Sequence, residues 1–165
     1  MKLIAVVTAF CLIGPTMASA YWEVQRSDKD VFGNINVTAN SIGDNGGLLR
    51  FECGSSSNPM FVYLLRDSSG SIPEMPAKFI HRDANGKMHE SDATLRSWND
   101  RFVAVQVSDL AMLRSIADHM VVATKSIPIG VEVPILGLQM SDTFSSRGST
   151  AAGRTVAEFC LSGTS

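Results

Sequence analysis

The sequence predicts a mainly β, α+β protein: an antiparallel sandwich or partial barrel carrying one or two helices and stapled by one disulfide. Three observations predict it. Short segments with period-two alternation or β-branched, apolar runs recur through the first two thirds of the chain, separated by Gly, Pro, Asn and Ser clusters. Helical spacing is clear in one place only, after residue 108. Two cysteines, Cys53 and Cys160, remain once an N-terminal leader is set aside.

Residues 1–20 read as a cleaved secretory signal. Lys2 is a minimal basic start, Leu3 to Ile13 is apolar, Gly14 and Pro15 break the run, and Ala18-Ser19-Ala20 offers a cleavage site before Tyr21. The apolar run is far short of the roughly 20 residues that span a bilayer. Cys11 leaves with the leader, so the mature chain, 21–165, is read as one β-rich domain with an even pair of cysteines bound for an oxidising compartment. Without Lys2 it carries 13 basic against 16 acidic side chains. This balance, with no basic stripe, argues against nucleic-acid binding, and no integral membrane segment is expected after cleavage.

Ile35 to Ala39 alternates as a half-buried strand does, as does Leu49 to Cys53, with Leu49, Phe51 and Cys53 on one face and Arg50 and Glu52 on the other. Met60 to Arg66, between Asn58-Pro59 and Asp67 to Gly70, reads as a central strand paired with the Cys53 segment. Lys78 to Asp83 and Lys87 to Glu90 flank Asn85-Gly86 and read as a hairpin. Arg101 to Ser108 sets Val103, Val105 and Val107 on one side of a strand. Ser108 is the expected cap of a helix with Asp109 in its first turn and Leu110, Leu113, Ile116, Ala117 and Met120 at helical spacing. Val121 to Thr124 and Ile127 to Met140 return to β character as one or two short or edge strands interrupted by Pro128, Gly130 and Pro134. The small, polar tail from Ser141 to Leu161 ends in a helix that the disulfide ties to the sheet. Ser55 to Ser57 and Ser145 to Ser149 are read as loops.

Few residues announce chemistry. His81 and His89 lie on opposite arms of the hairpin and face one another or share a sheet face; a metal site there needs a further ligand, with Glu90 or Asp83 the nearest candidates, and none is assigned. His119 falls at a helix C-terminus, where a cation suits the dipole. Asp83 to Lys87 superficially matches a calcium loop but has Met88 and Thr94 where Gly and Glu are required. There is no G-x-S-x-G elbow. Sixteen acids are available to pair for glycan cleavage, but none stands out. Asn36-Val37-Thr38 is a glycosylation sequon. No catalytic residue, metal ligand or cofactor is therefore assigned. A contact surface is sketched from Trp22, His81, Arg82, Asp83, His89 and Trp98, although burial is the default for the aromatics of a small β domain.

Trp22, a Leu-Arg strand ending at Cys53, the Phe79, Arg82, Asp83 element, a strand opening at Phe102, a helix with Leu110 and Leu113, Gly137-Leu138 and a last Cys160 occur in an order that resembles small two-cysteine periplasmic proteins associated with bacterial type VI secretion. More loosely, the order is similar to invasion-associated proteins of host-dwelling bacteria. The resemblance implies a non-enzymatic exported protein, periplasmic, secreted or delivered to a host cell, that acts by binding a host or envelope protein. A small periplasmic hydrolase or hydrolase inhibitor is the alternative. Convergence of Asp83, His81 and His89 in a cleft would weigh against a contact-only role; an exposed, rigid apolar patch would weigh for it.

Overall fold

The computed structural model describes residues 21–54, 57–66 and 71–162. The expected leader with its Ala20 cleavage position and residues 55–56, 67–70 and 163–165 lie outside these residues.

Nine strands form one antiparallel sheet, in the order β1-β2-β3-β4-β7-β6-β5-β8-β9. They are β1 (Glu23–Arg26), β2 (Asn36–Ile42), β3 (Leu48–Gly54), β4 (Ser57–Arg66), β5 (Met75–Arg82), β6 (Met88–Asn99), β7 (Phe102–Val107), β8 (Ser126–Val133) and β9 (Leu138–Ser145). Helix α1 (Leu110–Val122) lies between β7 and β8, and α2 (Ser149–Val156) continues into a wider turn, Ala157–Leu161. The sheet curls into a half-barrel. A bridge between Gly43 and Phe144 and a bond from the Asp44 amide to the Thr143 carbonyl bring β9 round to the end of β2. Of the two architectures left open by the sequence, the partial barrel is the one formed.

Alternation decides which side chains fill the cup. Val37 and Ala39, Leu49, Phe51 and Cys53, and Val103, Val105 and Val107 point inward and meet Met112, Leu113, Ile116, Ala117 and Met120 of α1. Arg50 and Glu52 take the other face and pair at 2.7 Å. Phe51 sits opposite Phe61 across β3 and β4, as the pairing of these segments requires. Cys160 is joined to Cys53, with Cα atoms 5.7 Å apart, so the C-terminal turn is bonded to the sheet.

Several expectations are corrected. Asp109, not Ser108, caps α1, its carboxylate accepting from the Met112 amide at 2.7 Å; Asp is as good a cap as Ser, and one residue decides the entry of the chain. Val121 and Val122 finish the helix instead of starting a strand. The segment with Pro128 and Gly130 is an interior strand, paired with β5 and β9; Pro128 is tolerated because the β5 ladder stops at Ile129. Residues Ser141 to Ser145, read as tail, complete β9, and β6 runs nine residues past the expected hairpin arm. Strand β1 has no counterpart in the sequence reading.

Candidate functional site

The inward positions of β5 are Ala77, Phe79 and His81, so alternation puts an imidazole where the strand otherwise buries hydrocarbon. The hairpin register sets His89 directly opposite His81 on the same face. Between them lies a turn that Asp83 organises. Its Oδ1 accepts from the Asn85 and Lys87 amides at 2.9 and 3.0 Å, and Gly86 adopts a φ of 83°. Asp83 Oδ2 accepts from His89 Nε2 at 2.9 Å. That bond, followed by the Lys87 and Asn85 amides, outweighs desolvation and holds the Asp83 carboxyl down at about 2.

The third histidine comes from α1. His119 Nδ1 lies 3.3 Å from His81 Nε2, and His81 Nδ1 lies 3.2 Å from the Pro128 carbonyl oxygen. A carbonyl only accepts, so His81 carries its proton on Nδ1 and its Nε2 accepts from His119 Nδ1. Burial pushes His81 down to about 4, with smaller contributions from His119 and His89, against the Pro128 bond and Asp83. Burial also lowers His119, opposed by the Arg82 carbonyl and Asp83. Both rings are therefore neutral at pH 7. His119 is a buried partner of the sheet, not the cation suggested by its place at a helix end: its ring meets His81 of β5 and is left with little water to solvate a charge.

A cavity of about 490 Å³ opens between this hairpin turn and the outer face of α1, lined by Asp83, Asn85, His89, Arg114, Asp118 and His119. A second, of about 420 Å³, lies across the turn and shares Asp83 and His119, adding Lys125 and Pro128. Asp83 and His89 thus meet on a cleft wall, while His81 is sealed behind them. Convergence is met by two of the three residues. Chemically, the pair is a carboxylate-held imidazole: with Nε2–H donated to Asp83, the lone pair on Nδ1 is left as a base. Among the described residues, no group of three His, Cys, Asp or Glu side chains is placed to hold a metal ion. Glu90 is drawn off to Lys78, at 2.9 Å.

The other members of the sketched contact surface separate. Trp22 is 4% exposed, its Nε1 donating to the Ser145 carbonyl and its ring packed by Phe144, so it belongs to the core. His81 likewise leaves the surface, since it occupies a core position of β5. Arg82 is exposed and donates to the Gly86 carbonyl and to Met88 Sδ. Trp98, at the far end of β6, is 36% exposed, and Tyr21 is exposed ahead of β1.

A feature outside that surface is more prominent. In the loop between β1 and β2, Val31 and Phe32 are 93% and 84% exposed. Asp30 holds this tip: its Oδ1 accepts from the Phe32 and Asn34 amides, both at 2.8 Å, and its Oδ2 from Asn34 Nδ2 at 3.0 Å. Gly33 closes the turn with a φ of 81° and a bond to the Asp30 carbonyl. The signal was present as Asp30, three residues before Gly33 and four before Asn34, a pattern that favours an Asp-braced turn. Ile35, which follows the loop, lines with Pro59, Phe159 and the disulfide a small cavity of about 180 Å³, and the Arg26 guanidinium lies 4.2 Å over the Phe159 ring.

No protein-family model, no curated protein and no solved structure matches the chain. Among the described residues no helix is long and apolar enough to cross a membrane.

Proposed function

We propose that this is an exported protein that acts by binding another protein, of the bacterial envelope or of a host, in the manner of secretion-linked periplasmic factors. Export rests on the leader pattern and on the Cys53–Cys160 bond. The observation that carries the binding role is the Val31–Phe32 tip. An aromatic 84% exposed costs solvation in the free protein, and its turn is fixed by five hydrogen bonds around Asp30, so little ordering entropy remains to be lost on docking. The test is site-specific photo-crosslinking in the producing cell from exposed position 29, beside the tip, with and without the Val31→Asp/Phe32→Asp double change. One specific protein adduct, lost in the double variant at unchanged thermal stability, is expected. An adduct pattern indifferent to the double variant overturns the reading.

A hydrolytic role is favoured by one different observation, the Asp83–His89 pair on the wall of the cleft. There His89 Nδ1 would take a proton from an attacking water. Turnover of cell-wall or glycan fragments, abolished by His89→Ala and untouched by Phe32→Asp, would establish this second reading over the first.

A further inference from the structure

The three histidines do more than line a cleft. His81 and His119 are the polar contact that seats the last turn of α1 against β5 and β8: His119 reaches His81, and His81 reaches the Pro128 carbonyl. Both are buried, His119 at the edge of the two cavities. The charged and titratable groups around the pair are few. β6 presents His89, whose ring stacks toward His81 at 6.3 Å; the β5–β6 turn presents Asp83, already bonded to His89; β8 presents only the Pro128 carbonyl. α1 carries Arg114 and Asp118 toward the cleft, and Arg82 and Lys125 flank it. A proton arriving on either ring would place a charge in a buried site whose one adjoining carboxylate, Asp83, is committed to His89. On His81 it would also destroy the bond, since Nε2 would become a donor facing the His119 Nδ1 donor, whereas on His119 it would add at Nε2 and leave the bond in place.

We propose that the His81–His119 pair is an acid-released latch: while neutral it clamps the last turn of α1 to the β5–β8 region, and when protonated it lets that turn and the Asp83–Lys87 turn move apart, widening the cleft between them. The direction follows from burial. The closed state binds protons less readily than any state in which the rings reach water, so falling pH shifts the population toward the open one, from about 6.5, the ordinary value for histidine, down to about 4. The inference is independent of what the cleft or the apolar tip binds.

Two label pairs on the full mature chain, disulfide intact, test it by distance measurement. One pair spans the cleft, at the exposed positions Asn85 and Ala111; the other, at Arg66 and Arg96, brackets β7 within the sheet. On lowering the pH from 7.5 to 4 the cleft pair is expected to lengthen and broaden while the sheet pair stays unchanged. In His119→Gln, which keeps a neutral donor beside His81, the cleft distance is expected to be the same at both pH values. An unchanged cleft distance in the wild-type chain, or lengthening of both pairs together, overturns the latch. The wild-type arms decide the matter even if the variant fails to fold.

Discussion

At position 142 a single carboxylate holds four donors. Asp142 Oδ1 accepts from the Asn45 and Thr143 amides, and Oδ2 from the Gly47 amide and the Tyr63 hydroxyl, at 2.8 to 3.2 Å. Burial, then Asp142 itself, drives the Tyr63 phenol well above its ordinary range, so it stays a donor. Gly43 lets the chain approach: a Cβ there would lie 2.4 Å from the carboxylate. Asp142→Ala leaves several buried donors unsatisfied and is expected to cost about 3 kcal/mol, read from urea denaturation. The sequence offered one signal for this residue: it occupies an inward register position of β9 between Met140 and Phe144, where hydrocarbon is the norm. His81 is a comparable intrusion. Its pKa falls from about 6.5 in the unfolded chain to about 4 in the native one, so the unfolded state takes up the proton first as pH drops. Stability is full above about 6.5 and is lost between 6.5 and 4, by about 3 kcal/mol from this ring, in urea melts across that range; His81→Phe should flatten most of the dependence.

Between elements, the two helices approach one another closely. A Cβ on Gly153 would lie 2.8 Å from the Ala117 carbonyl oxygen and 2.9 Å from Met120 Cβ. Ala117 and Ala152 are both buried and small, so the helices meet almost backbone to backbone. In the sequence Gly153 reads only as a weak point in a short helix; the structure gives it a packing reason. Gly153→Leu is expected to lower stability by about 2 kcal/mol, read as a lowered melting temperature, because neither backbone nor Met120 has room to retreat. The β5–β6 hairpin is the most legible element of the site. Its Asn-Gly turn fixes the register, and the register alone makes His81 and His89 cross-strand neighbours on one face. Strand β1 and the far half of β6 were not legible. β1 has four residues and only Val24 partly buried, and the inward side of β6 runs through Ser91, Ala93, Leu95 and Ser97, where Leu95 is the one large apolar side chain, too few to register as a strand.

For the whole molecule, the disulfide closes a ring spanning 107 residues and ties the last turn to the third strand. The chain-entropy relation puts its contribution at about 4 to 5 kcal/mol, a large share of the stability of a domain this size. Reduction of the Cys53–Cys160 bond should therefore bring the urea midpoint sharply down, while a midpoint that moves by less than a tenth would show that the C-terminal turn is held by packing alone. By itself the sequence determined the strand-rich class, the facing of Val103, Val105 and Val107 and of Leu49, Phe51 and Cys53, the hairpin and the main helix, because periodicity and turn chemistry are local properties read within a dozen residues. Only the tertiary structure decided that the sheet is one curled half-barrel, that Asp142 closes it, that Trp22 is core, and that His119 comes to His81 from 38 residues away. Those outcomes depend on which buried surfaces fit one another once the cup is formed, and no local pattern encodes the distance between two residues that meet only there.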